Sequence, residues 1–279
     1  MLVENIKCHV MKAHSTMWII VRRGVIILKV INKIVAILET LGHNESLGTA
    51  ELSKILGMPA ATVHRILSEL NKHGLIEKDE NSKKYRLGWK IMNLSYKALK
   101  CEQQQFHVQL ILPYLKMLSQ ETKETVFLAV TMQNKVVCIE KVDGQRNLRF
   151  YVEIGREMPL NCSAAAKAIL AYKSNAFREE VIGSNGFILY TQHSIDNMQE
   201  YEAQLNEVRN NGYAICDNEI EIGSKAVAVP IFDSEGQVLS SISLIGPNQR
   251  VSEQFANILA LMKGAAEDIT MKLKHGQIV

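Results

Sequence analysis

The stretch PAATVHRILSELNKHG, residues 59–74, constrains the fold more than any other part of this chain. Val63, Ile66, Leu67 and Leu70 recur at i, i+3, i+4 and i+7, so one face of a helix must pack on a core. Proline suits a helix's first turn and glycine the position just past its end, so Pro59 is expected in the first turn and Gly74 at the close. The opposite face carries Ala61, Thr62, His64, Arg65 and Ser68, small or basic groups for which a core has no use. A helix this short needs neighbours to bury its apolar stripe, and the flanks supply them.

Upstream, LKVINKIVAILETLG carries Val30, Ile31, Ile34, Ile37, Leu38 and Leu41 as one apolar stripe, ending at Gly42. HNESLG is a loop, and Thr49 is placed to N-cap a short helix, AELSKILG, closed by Gly57. Downstream, LIEKDENSKKYRLG reads as a hairpin with a charged tip from Asp79 to Lys84 and a second strand at Tyr85–Leu87. Three helices followed by a two-stranded ribbon make a winged helix-turn-helix over residues 25–88. Residues 89–104 then read as a linker helix, and the pattern beyond changes to mixed helix and strand. Hairpins are expected at TVFLAVTM/KVVCIEKV and SKAVAVPIFD/QVLSSISLIG, with a third strand at LRFYVEI. Helices are expected at 106–121, SAAAKAILAY, 195–211 and from about Ser252 to Lys274. The fold class is therefore α+β, with residues 105–279 as an antiparallel sheet with segregated helices, a sensor-like domain.

The exposed face of the 59–73 helix suits duplex DNA. Helix-turn-helix proteins lay the second helix in the major groove with its N-terminal residues against base edges. Pro59, Ala60 and Ala61 let the helix sit deep, Thr62 can bond a phosphate or a base, and His64 and Arg65 are donors. Thr49 belongs with this DNA-facing set. Lys83, Lys84 and Arg86 on the wing suit phosphates. Charge agrees: residues 1–88 carry a net +5 and the remainder a net −2. A surface helix beside a solvated lysine turn is the plain alternative for either piece alone; their order within 45 residues favours DNA.

LSKILGMPAATVHRILSELNKHGLIEKDENSKKYRLG resembles the DNA-binding module of IclR-type transcriptional regulators, through Thr62-Val63-His64-Arg65 and Tyr85-Arg86-Leu87-Gly88. GREMPLNCSAAAKAILA and GYAICDNEIEIGSKAVAVPIFDSEGQVLSSISLIGP extend the resemblance, which covers roughly residues 30–273. It implies a winged helix, a linker helix and a GAF-like effector-binding domain. It also implies dimers or tetramers on a palindromic double-stranded operator, repressing or activating catabolic genes. Ala60-Ala61 stand where the family usually has Lys-Ser, which removes one cation and one hydroxyl.

The resemblance further implies a small-molecule carboxylate effector between the 155–167 loop and helix, the 216–226 loop and the strand at 238–245. Leu160, Ser163, Ala164, Ala165, Cys216, Asp217, Glu219, Ala226 and Ser243 are the expected contacts. Ser163 would N-cap a helix whose free N–H groups face an anion. Small residues there equally let a helix pack closely on a sheet, and Cys216 can equally be a core cysteine. Of the family's usual polar positions only Ser243 survives; Asp217 falls one place late, Glu219 matches an acidic position, and Ala226 and Ile245 have lost theirs.

Other classes find little support. There is no G-x-S-x-G, and Lys167 lies four residues after Ser163 where S-x-x-K needs three. No H-E-x-x-H, P-loop or G-x-G-x-x-G occurs, so no catalytic residue, metal or cofactor is expected. The five cysteines hold no C-x-x-C pair, which suits a reducing cytoplasm. MWIIVRRGVIILKVI is interrupted by Arg22, Arg23 and Gly24, so neither a membrane span nor a cleaved leader is expected, and residues 1–24 read as a poorly ordered extension. Two further readings stay open: a DNA-binding protein whose C-terminal domain only oligomerises, and an enzyme with an accessory basic domain.

Overall fold

The computed structural model describes residues 30–99 and 102–275. The expected extension over 1–24 lies outside these residues. The chain divides into two compact units, one ending at Glu102 and the other starting at Gln103.

In the first unit a helix over residues 30–42 (α1) is followed by α2 (Thr49–Leu56), α3 (Ala60–Lys72), β1 (Ile76–Lys78), β2 (Tyr85–Leu87) and α4 (Trp89–Leu99). Val63, Ile66, Leu67 and Leu70 of α3 are buried against Ile37, Leu41, Leu52, Ile76 and Tyr85. The expected stripe on α1 is narrower than the sequence suggests: Ile37 and Leu41 are buried, whereas Val30 and Ile31 are 37% and 48% exposed. Two caps move by one residue. Gly48, not Thr49, caps α2, because the Glu51 carboxylate reaches back to the Gly48 N–H at 2.6 Å and Thr49 becomes the first helical residue. Pro59 caps α3 from extended geometry, its carbonyl accepting from the N–H groups of Thr62 and Val63, so it lies just outside the first turn.

Gly57, at φ +60°, turns the chain between α2 and α3. β1 and β2 pair antiparallel, and Leu47 adds a one-residue bridge to Tyr85. The ribbon returns to the helices at Gly88, whose N–H donates to Leu75 O at 2.9 Å. A Cβ there would lie 2.4 Å from the carbonyl oxygen of Gly74, so the Y-x-L-G glycine is required by close backbone approach.

In the second unit α5 (Glu102–Thr122) leads into β3 (Thr125–Met132), β4 (Lys135–Val142), β5 (Glu157–Met158), α6 (Ala164–Leu170), α7 (Asn175–Asn185) and α8 (Met198–Asn211). β6 (Ala214–Asp217), β7 (Ser224–Phe232), β8 (Val238–Pro247), α9 (Asn248–Glu253) and α10 (Phe255–His275) complete it. The six strands form one antiparallel sheet in the order β5-β4-β3-β8-β7-β6. Alternation splits its side chains between two cores. Val126, Leu128, Val227, Val229, Ile242 and Leu244 meet α5 and α10, while Phe127, Ala129, Ala226 and Ala228 meet α6.

The expected linker helix over 89–104 corresponds to α4 and the first residues of α5, and residues 100 and 101 lie outside the described residues. Two expectations change. The expected 252–274 helix is two, because Gln254 leaves helical geometry at φ −107° and ψ 11°. LRFYVEI is a loop, since the Phe150 carbonyl is taken by the Thr125 hydroxyl at 2.7 Å and the β4 edge pairs with Glu157–Met158 instead. Among the described residues no helix is long and apolar enough to cross a membrane.

Gly88→Ala should destabilise the first unit by about 1–3 kcal/mol, as overpacking against rigid backbone does. Thermal unfolding followed by the fluorescence of Trp89, which packs beside Gly74, measures this against Gly57→Ala, where an added Cβ meets no atom and only the positive φ is strained.

Candidate DNA-binding face and effector cavity

α3 is amphipathic in the sense its sequence demands. Pro59, Ala60, Ala61, His64 and Arg65 are exposed and Thr62 is half-buried, so the six residues expected to face DNA share the side opposite the core. Among the described residues no carboxylate pairs with Arg65. The wing differs. Lys83 pairs with Glu80 at 3.1 Å, Lys84 with Glu51 at 3.2 Å and Arg86 with Glu77 at 3.1 Å. These exposed pairs are screened and weak, so each cation can exchange its carboxylate for a phosphate. The tip is shaped by Asp79, whose carboxylate accepts from Ser82 N, Ser82 Oγ and Asn81 N at 2.7–3.1 Å; those bonds hold its pKa below the usual range. Lys83 takes φ +57° to close the turn.

α6 lies against the sheet with all seven residues buried, including Lys167. The approach is close because the sheet offers Ala226, Ala228, Ala129 and Ser241, the last donating its hydroxyl to Ala165 O at 3.1 Å. A buried ammonium must be compensated. Lys167 Nζ meets both Glu219 oxygens, at 2.7 and 2.9 Å, and Gln204 Oε1 at 2.8 Å. Burial pushes the Glu219 carboxyl up, and the Lys167 charge opposes that shift. The pair ties α6 to the 217–221 loop.

Beside this tie is a cavity of about 70 Å³. Ser163, Ala164, Ala165, Cys216 and Ala226 line it, as does Ile245, the position that lost a polar group. Four expected contacts do not. Leu160 borders a separate cleft with Lys135 and Tyr190. Glu219 is consumed by Lys167, and Asp217 is held by Lys225 at 2.8 Å and by Asn248. Ser243 is fully buried, cross-strand from Phe127 and Ala228 on the α6 side, and its hydroxyl finds no partner among the described residues. Ser163 caps α6 through its backbone only. Desolvation raises the Cys216 thiol to about 12, so it stays protonated. One wall was missing from the sequence reading: Phe150, Tyr151 and Val152 come from the loop expected to be a strand, joined by Phe127 of β3 and the exposed Arg156.

Residues 30–80 match the IclR helix-turn-helix domain, and residues 105–271 match the family described as bacterial transcriptional regulator IclR C-terminal. The HTH-type transcriptional regulator KdgR of Dickeya chrysanthemi is 34% identical over 247 residues, 87% of this chain and 79% of that protein. The crystal structure of the Thermotoga maritima IclR superposes with TM-score 0.72 at 24% identity, covering 88% of this chain and 99% of that one. An IclR homolog from Microbacterium hydrocarbonoxydans, solved with 4-hydroxybenzoate, gives TM-score 0.72 at 23% identity over the same shares.

Lys167→Ala leaves Glu219 buried without its counter-charge and should destabilise the second unit by about 3–5 kcal/mol. Lys167→Met with Glu219→Leu should recover most of that loss, and denaturant unfolding of the three proteins separates the outcomes.

Proposed function

Because this chain belongs to the IclR family of bacterial transcriptional regulators, we propose that it is a cytoplasmic repressor of catabolic genes, released or engaged by a small organic or sugar-derived acid. α3 enters the major groove of the operator, and Arg65 reads a base edge, with guanine the best match for its paired donors. His64, Thr62 and Thr49 bond the groove edge or phosphates. Lys83, Lys84 and Arg86 leave their carboxylates for the backbone beside the groove. The observation that carries this reading is the division of α3: one face wholly buried, the other small and cationic, next to a wing of three cations.

Two copies are needed for a palindromic operator, with half-sites one helical turn or a multiple apart. Exposed Ile31 and Val35 on α1 and Trp89 and Met92 on α4 are the apolar surface a second copy would cover, and pairing of dimers gives the tetramer. The effector occupies the cavity beside α6. The carboxylate is drawn to Arg156 and Ser163, its body lying against Phe127, Phe150 and Ile245. An acid of this kind has a precedent in the 4-hydroxybenzoate held by the Microbacterium hydrocarbonoxydans homolog. The effector acts only by binding one arrangement of the two winged helices better than the other. A second reading, in which the C-terminal domain assembles and binds nothing, is favoured by the small size of the cavity. A thermal-shift screen of small acids with no hit would support it.

Gel-shift titration on the DNA flanking its own gene tests the DNA reading. Arg65→Ala should lose about 1–3 kcal/mol of specific affinity and relax preference at one base pair. Lys83→Ala and Lys84→Ala should weaken specific and non-specific DNA alike, each making the salt slope shallower by about 1. Unchanged affinity and preference in Arg65→Ala would overturn the placement of α3.

A further inference from the structure

The cavity is small for an aromatic acid such as 4-hydroxybenzoate. Benzene occupies an engineered cavity of about 150 Å³, twice the roughly 70 Å³ here. One wall must therefore yield. It is not α6, which is buried along its whole length, nor the strands β3, β7 and β8 of the sheet interior. Met158 is held in β5 by its pairing with β4, and the turn bearing Ile220 and Glu221 is pinned through Glu219, whose carbonyl accepts from Ser194 Oγ at 2.6 Å and whose carboxylate holds Lys167. That leaves the loop over residues 143–156, which sets Phe150 and Val152 against the cavity while Leu148, Tyr151 and Ile154 are 70%, 60% and 57% exposed.

The 143–152 part of this loop is fastened at the junction of α5 with β3. Its far end is held to β4 by Gly155 N–H to Cys138 O at 2.7 Å and Cys138 N–H to Arg156 O at 3.0 Å, and Lys141 Nζ stands 3.8 Å from the centre of the Tyr151 ring. Asp143 O accepts from Ser119 Oγ at 3.3 Å, Gln145 N donates to Lys123 O at 3.2 Å, and Thr125 Oγ1 accepts from Gly144 N and donates to Phe150 O. Between the two Thr125 bonds, among the described residues, the further tie to the junction is ionic. Glu124, 2% exposed, accepts from Arg250 Nε and Nη2 at 2.7 and 2.9 Å, and Nη2 also donates to Leu148 O at 3.0 Å. Arg146 Nε stands 3.8 Å from the same carboxylate. The seat is built for a carboxylate: a Cβ on Gly246 would lie 2.9 Å from Glu124 Cδ and Oε2, and one on Gly144 2.9 Å from the Glu124 backbone.

We propose that Glu124 and Arg250 are positioning residues for effector binding, a latch that holds the 143–152 loop shut over the cavity and sets how readily it admits a ligand. The inference rests on the cavity being the effector site, but the latch can be read without any effector. Cys216 lines the cavity at 3% exposure, whereas Cys162 is buried outside its lining. Alkylation of the full-length protein by N-ethylmaleimide, followed at each cysteine by mass spectrometry, reports whether the wall opens.

In Arg250→Ala, Cys216 should react about tenfold faster or more, as expected when charge-assisted hydrogen bonds to a loop are lost. Arg250→Lys, which keeps the charge but not the paired geometry or the reach to Leu148 O, should fall between Arg250→Ala and the parent protein. Cys162 should keep its parent rate. Unchanged Cys216 reactivity overturns the latch. So does an equal acceleration at Cys216 and Cys162 in Arg250→Lys, because the pair would then be holding the fold rather than the loop. With 4-hydroxybenzoate as probe, a parent protein that shows no thermal shift while Cys216 responds as stated would sink the effector reading for that acid and leave the latch standing.

Discussion

A buried lysine organises the C-terminal unit. α6 can approach the sheet only because Ala129, Ala226, Ala228 and Ser241 stand where larger residues would hold it off. That approach buries Lys167 with the rest of the helix, and an unpaired ammonium there would be far costlier than the packing is worth. Glu219 and Gln204 answer it, from the loop after β6 and from α8. Thr191 and Ser194 hydroxyls then hold the carbonyl of Glu219 from the opposite side. Two cavity walls, the start of α6 and the 216–224 loop, are thus fixed by one charge.

The DNA-binding unit solves a different problem. Its core is small, and α3 must keep one face free. The ribbon closes that core by running backbone against backbone at Gly74 and Gly88 and by the bridge from Leu47 to Tyr85, so few side chains are spent on it. The cations of the wing are balanced by Glu51, Glu77 and Glu80, whereas Arg65 on α3 is not balanced by any described carboxylate. Among the described residues the unopposed charge therefore stands on the helix.

Periodicity and punctuation made the first unit legible. The i, i+3, i+4, i+7 stripe of α3, Gly57, and the turn from Asp79 to Lys84 each have one good structural solution, and the departures are single-residue shifts at Gly48 and Pro59 and the exposure of Val30 and Ile31 on α1. The β3–β4 and β7–β8 hairpins were legible for the same reason, with Gln133 at φ +53° and Gly236 at φ +78° in their turns. Long-range pairing was not. Nothing local in LRFYVEI says that a threonine 25 residues away will take its carbonyl, and its alternating apolar residues look like a strand. Glu219 read as a ligand contact because an acidic residue near a cavity invites that role; its partner lies 52 residues away. Glu124 and Arg250, 126 residues apart, carry no joint signal in one sequence. Gly144 and Gly246 were the only local hints, since each sits where the carboxylate or its backbone leaves no room for a side chain.

The latch also bears on how a signal would leave the cavity. Glu124 follows α5 by two residues, across Lys123 at φ +63°, and α5 is the first described helix after α4. Along the chain, the loop that walls the cavity is therefore fastened to the far end of the helix that follows the linker. A ligand that needs the loop displaced must break or strain bonds to Lys123, Glu124 and Thr125, and the free energy of doing so differs between the open and closed wall. Only such a difference can bias the arrangement of the winged helices, because a ligand bound equally well to both states shifts nothing. A rigid cavity of the right size would bind more tightly and signal less. If the cavity holds the proposed effector, a small cavity walled by a loop tied to the ion pair at the foot of α5 suits a sensor better than a store.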